Sequence, residues 1–167
     1  MSRTILLVED DPNDVYFMKH AAQEAGILDA LQVAQDGQEA VDYLEGLGDY
    51  ANRQRFPLPC LVLLDLKLPR VMGFEVLKWI RQQPALKNTT VIVLTSSDLK
   101  PDVDLAYRLG ANSYLVKPPT PDKLVEVITR IKQYWLDLNR PAPEGVESAA
   151  KAKDAIDPAA ALAGFFC

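Results

Sequence analysis

Five short, mostly apolar runs recur along the chain: Ile5–Val8, Leu31–Ala34, Leu61–Leu64, Val91–Leu94 and Tyr114–Val116. A strand with one face in water alternates apolar and polar residues. These runs instead carry apolar side chains on consecutive positions, which suits strands covered on both faces. Amphipathic helical segments separate them. The first opens at Asp11-Pro12, an N-cap acid followed by proline at the first helical position, and closes near Gly26. The second follows Asp36-Gly37 and runs toward Gly46. The third carries Phe74, Leu77 and Ile80 and stops before Pro84. The fourth begins near Pro101 and ends at Gly110, and the fifth is set by Thr120-Pro121. A strand–helix pair repeated five times predicts an α/β fold, a doubly wound five-stranded parallel sheet.

In such a sheet the chemistry collects just beyond the carboxyl ends of the strands. The first run ends in Glu9, Asp10 and Asp11, the third in Asp65, the fourth in Thr95 and Ser96, and the fifth in Lys117. Like charges at the end of a buried strand repel, and desolvation adds to the cost. A hard cation such as Mg²⁺ offsets both, taking oxygen ligands from Glu9, Asp10 and Asp65 directly or through water. Glu9 either ligates it or only shapes the field around it. Asp11 is accounted for as the N-cap. A carboxylate is also a nucleophile toward phosphorus, giving an acyl phosphate. Phosphoryl transfer needs mostly positioning and charge neutralisation, which the metal and Lys117 supply. The Thr95 hydroxyl can then hydrogen-bond a phosphoryl oxygen. Singly, each of these is an ordinary strand-end residue; as a set they define a site.

Composition narrows the class. A net charge of −5 gives no bulk drive toward nucleic acid or an anionic membrane surface. No apolar run reaches transmembrane length, and the first ten residues lack a signal-peptide pattern. The two cysteines, Cys60 and Cys167, have neither a disulfide framework nor metal spacing, and Cys60 reads as a buried thiol. A cytoplasmic, reduced protein is expected. Two stretches fall outside the repeat. Gly46–Pro59 is a long loop, read as passive cover. Residues 139–167, rich in Pro and Ala with scattered charge, read as a disordered tail.

The stretches "LLVEDDP", "LLDLKLPRVMGFEVL", "VIVLTSS" and "GANSYLVKPP" closely resemble the receiver domain of two-component response regulators, over about Arg3 to Leu138. The resemblance implies a flavodoxin-like (βα)₅ fold for residues 1–138. It implies Asp65 as phosphoacceptor and Glu9 and Asp10 as the acidic pocket, with the Lys67 backbone carbonyl completing the metal site. It further implies Thr95 as switch hydroxyl, Lys117 as phosphate-binding lysine and Tyr114 as aromatic switch residue. Tyr114 read alone is simply an aromatic on a strand beside the fourth helix. Within the receivers, "GDYANRQRFPLPCLVLLDLKLP" and "IKQYWLDL" resemble the stand-alone regulators associated with bacterial phytochrome kinases. Lys67 stands where many receivers have Asn, Met72 where Asp is frequent, and Pro119 where Phe is frequent.

The implied function is a single-domain response regulator. It takes a phosphoryl group from a sensor histidine kinase, in this subgroup a bacteriophytochrome, onto Asp65 with Mg²⁺, and signals by binding a partner. His20 lies alone on the first helix, so the phosphodonor histidine belongs to another protein. Relay to a histidine phosphotransfer protein fits the same residues. An aspartyl-phosphate phosphohydrolase is the rival enzyme reading. It calls for an acid two residues after the nucleophile, where Lys67 stands, so an enzyme beyond self-phosphorylation and dephosphorylation is not expected. On the fifth helix Leu124, Val127, Ile128, Ile131, Tyr134, Trp135 and Leu138 form one stripe at 100° per residue. That helix outruns the sheet, so Trp135 and Leu138 are expected to overhang it and form a homodimer contact.

Overall fold

The structure, a computed structural model, describes residues 3–142. Strands β1 (Ile5–Val8), β2 (Leu31–Ala34), β3 (Leu61–Leu64), β4 (Thr90–Thr95) and β5 (Ser113–Val116) alternate with five helices. These are α1 (Pro12–Glu24), α2 (Gly37–Glu45), α3 (Gly73–Gln82), α4 (Lys100–Arg108) and α5 (Pro121–Ile131). Every pairing is parallel, in the order β2-β1-β3-β4-β5. This is the flavodoxin-like winding. Its direction reverses between β1 and β3, which opens a crevice at their carboxyl ends.

The central strands β1, β3 and β4 are buried at every residue, while the edge strands β2 and β5 are partly exposed. Successive side chains point to opposite faces and so feed two cores. Leu6, Val8, Val62 and Leu64 pack with Tyr43, Leu77 and Ile80 of α2 and α3. Ile5, Leu7, Leu61 and Leu63 pack with Met18 and Ala21 of α1 and with Leu124 and Ile128 of α5. Both faces are covered, which is why the runs do not alternate.

Side-chain caps fix where the helices begin. Asp11 accepts from the N–H groups of Asn13 (2.7 Å) and Asp14 (3.2 Å), and Asp36 accepts from Glu39 N–H at 2.8 Å. The Gly46–Pro59 loop is tightly held. Arg53 donates to the carbonyls of Tyr43 and Leu44, both at 2.7 Å, and so satisfies acceptors that the end of α2 leaves free. Tyr50 and Phe56 close over Tyr43 as an aromatic cluster.

Two expectations change. Beyond Ile131 the chain does not continue as an α-helix: Lys132–Leu138 is a π-helical segment, and Asn139 N–H donates to the Tyr134 carbonyl. With i→i+5 bonding, the residue that follows Ile131 on the inner face is Leu136 rather than Leu138. Leu136 and Trp135 accordingly pack on the α1/α5 core, whereas Leu138 is 73% exposed. The overhang expected of Trp135 is therefore wrong; it closes the bottom of the core. Cys60 is only half-buried, in the bend before β3, although burial still pushes its thiol up. Of the expected tail, residues 143–167 lie outside the described residues.

Candidate functional site

Register brings the strand ends together. Val8 pairs with Leu64, so Glu9 and Asp65 each stand one residue beyond that pair. Asp65 N–H donates to the Val8 carbonyl at 3.1 Å, and Glu9 N–H to the Ala34 carbonyl at 3.0 Å. Asp10 is next in the chain and exposed, while Glu9 and Asp65 are buried. Thr95 and Val116 are paired, and Lys117 N–H donates to the Thr95 carbonyl at 2.8 Å. Lys117 thus leaves the sheet beside Thr95.

The Lys117 ammonium spends all three of its N–H donors on carboxylates. Nζ donates to Glu9 Oε2 at 2.6 Å, Asp14 Oδ2 at 2.7 Å and Asp65 Oδ2 at 2.8 Å. Burial opposes its charge, but the hydrogen bonds it donates to Asp14, Asp65 and Glu9 outweigh this, and its pKa lies above the usual lysine range. On Glu9, whose side chain is 2% exposed, burial outweighs the opposing hydrogen bond and charge of Lys117. Its carboxyl is pushed up to about 7, against the pull of Lys117, with Asp65 adding repulsion.

Carboxylate oxygens of Glu9, Asp10 and Asp65 lie within 4.8 Å of one another. An all-oxygen, anionic set of this kind suits a hard divalent cation, and the single ammonium of Lys117 leaves negative charge over for it. Asp11 has one carboxylate oxygen, Oδ1, engaged in capping α1. The Lys67 side chain is exposed, but its N–H donates to Asp65 Oδ1 at 3.2 Å. Thr95 is fully buried, and its Oγ1 has no hydrogen-bond partner among the described residues. Tyr114 is half-buried, and its hydroxyl donates to the Ser97 carbonyl at 3.0 Å.

Two neighbours of the set were not legible as such. Asp14 looks in the sequence like an acid complementing the N-terminus of a helix; its bond to Lys117 appears only once β5 is placed. Ser97 is the last of a hydroxyl run, and it is the residue that joins the β4 end to Tyr114.

The response regulator receiver domain family matches residues 5–129. The probable methanogenesis regulatory protein FilR2 of Methanothrix harundinacea is 40% identical over 83% of this chain and 88% of its own length. Response regulator Rcp1 of Synechocystis is 38% identical over 81% of this chain and 90% of its own. The crystal structure of the phosphorylated cyanobacterial phytochrome response regulator RcpA has a TM-score of 0.78 at 33% identity, covering 84% of this chain and 99% of that one. Rcp1 in its Mn²⁺-bound form has a TM-score of 0.74 at 36% identity, covering 84% of this chain and 99% of that one. The chain belongs to the response regulator receiver domain family. It is a two-component response regulator, its acidic pocket is of the kind that binds a divalent cation, and its partner class is the histidine kinase. Among the described residues no helix is long and apolar enough to cross a membrane.

The Glu9 environment has a pH signature in the absence of metal. An unfolded glutamate titrates near 4.5 and the folded one at about 7. Ionised Glu9 therefore opposes folding by an amount that is absent well below pH 4.5, grows between the two values and is complete above pH 7. Glu9→Gln should raise the thermal midpoint in chelator at pH 8 by about 10 °C, and the gain should vanish near pH 4. Paired melting curves at those two values check it; a gain independent of pH would contradict the assignment.

Proposed function

We propose that Asp65 is the phosphoacceptor, that Glu9, Asp10, Asp65 and the Lys67 backbone carbonyl hold Mg²⁺, and that residues 1–138 form the receiver body. The observation that carries this reading is the buried, unpartnered Thr95 hydroxyl, on the strand end whose carbonyl accepts from Lys117 N–H while Lys117 Nζ bonds Asp65. A buried hydroxyl without a partner costs about 1–3 kcal/mol, and a phosphoryl group on Asp65 offers it an acceptor. The Asp65 carboxylate attacks phosphorus of a phosphohistidine; the P–N bond breaks, and the imidazole leaves, taking up a proton. The divalent cation supplies charge neutralisation for the transferring phosphoryl oxygens. Lys67 N–H and Lys117 Nζ hold the two oxygens of Asp65, and Lys117 can pass one donor to the phosphoryl group.

The output follows from connectivity. Thr95 drawn toward the phosphoryl group moves the end of β4, and the Ser97 carbonyl on that segment holds the Tyr114 hydroxyl. Phosphorylation is thereby converted into a shift of the α4–β5 surface. The phytochrome association of RcpA supports a bacteriophytochrome-type kinase as donor. Delivery onward to a histidine phosphotransfer protein uses the same chemistry. Acetyl phosphate with Mg²⁺ should add one phosphoryl mass to the wild type and none to Asp65→Asn. Equal labelling of the two would refute the assignment.

A homodimer is part of the proposal, with its contact moved from Trp135 to the outer face of the π segment. There Tyr134 is 55% and Leu138 73% exposed, an aromatic and aliphatic pair of the kind that anchors interfaces. Sedimentation at micromolar concentration should give a dimer for the wild type and a folded monomer for Leu138→Glu. A wild type that stays monomeric with and without phosphoryl donor would remove the contact.

A further inference from the structure

The loop after Asp65 carries backbone strain that phosphoryl transfer by itself does not explain. Arg70 has φ +62° and is the one non-glycine residue with positive φ among the described residues. Val71 N–H donates to the Pro69 carbonyl at 2.8 Å, so Pro69–Val71 is a γ-turn of the positive-φ kind, which is rare and strained. Glycine would adopt it without steric cost; arginine does not. Such a conformation persists only where its surroundings over-determine it.

The start of α2 does so, with two adjacent residues. Arg70 Nη2 lies 2.9 Å from Asp36 Oδ2, and the Asp36 side chain is 10% exposed. The other Asp36 oxygen caps α2 by accepting from Glu39 N–H, so this carboxylate is anchored to the helix and stabilised by its amide dipoles. Beside it, Gly37 meets the turn so closely that a Cβ there would lie 2.0 Å from the Val71 carbonyl oxygen. The turn is gripped by a charge and by bare backbone.

The far end of the same loop touches the reacting carboxylate. Lys67 N–H donates to Asp65 Oδ1, and Gly73 N–H closes the loop onto the Leu66 carbonyl at 3.1 Å. With the loop closed at its base, a change in the turn has few bonds over which to dissipate before it reaches Lys67.

We infer that Asp36 and Arg70 are positioning residues for the phosphoryl and cation site. Their ion pair holds the strained turn, and the turn fixes the Lys67 backbone against Asp65. Neither residue touches the cation or the phosphoryl group. The inference rests on the proposed cation ligands, Lys67 included, and adds the parts that aim them.

Calorimetric titration of the full chain with Mg²⁺ tests it. Arg70→Ala and Asp36→Asn should each weaken binding about ten-fold, the scale seen when groups that orient metal ligands are removed. The double variant should be no weaker than either single one, because both remove the same pair. Arg70→Gly also lacks the pair but accepts positive φ freely, and should regain most of the affinity. Asn keeps the α2 cap, so Asp36→Asn should lose affinity with little change in thermal midpoint; a merely structural role would move the midpoint and spare the affinity. Wild-type affinity in Arg70→Ala, with Asp10→Asn weakened, would overturn the clamp alone, as would an Arg70→Gly no better than Arg70→Ala. Wild-type affinity in Asp10→Asn would overturn the cation site itself and the clamp with it.

Discussion

One partly buried positive charge holds the functional edge of this sheet together. Lys117 leaves β5, yet its ammonium bonds to Glu9 after β1, Asp14 in α1 and Asp65 after β3. Two inter-strand spacings, roughly 10 Å, separate β5 from β3, and the long lysine stem crosses the end of β4 to span them. A small residue is required at that crossing. Thr95 occupies it, fully buried, and brings a buried hydroxyl without a partner among the described residues. The strand order therefore dictates a long cation on β5 and a short hydroxyl residue on β4.

The balance of charge at this edge is uneven by construction. One ammonium faces three carboxylates, with Asp10 beside them, and Glu9 is buried enough that its carboxyl is pushed up to about 7. Removing counter-charge from buried ions is costly, whereas adding a cation or redistributing the bonds is favourable. The same imbalance that strains the metal-free protein prepares it for a divalent cation and for an incoming phosphoryl group. Strain in the Arg70 turn has the same character: local cost retained where it aims a functional group.

Much of this was legible in the sequence, for identifiable reasons. The strands announced themselves because burial on both faces removes alternation, and α1 and α2 because Asp11 and Asp36 are caps whose effect is local. The residues brought to the carboxyl edge followed from parallel order alone. What failed to show depends on contacts distant in the chain. Asp14 bonds a lysine 103 positions away, and Asp36 meets Arg70 only across the fold. Arg53 and Arg81 bond to backbone carbonyls, a partner that no residue pattern advertises. The end of the fifth helix failed differently. A stripe counted at 100° per residue presumes α geometry, and the π segment over Lys132–Leu138 exchanged Leu136 for Leu138 on the inner face.

The central claim is that Lys117 is the counter-charge on which the acidic edge depends. Its most direct measurement is the thermal midpoint of Lys117→Met in chelator and in saturating Mg²⁺. Leaving buried carboxylates without their cation costs about 3 kcal/mol, so the variant should melt about 10 °C below wild type in chelator and recover most of the difference when Mg²⁺ supplies positive charge. A variant as stable as wild type in chelator, or one that Mg²⁺ does not restore, would contradict the account.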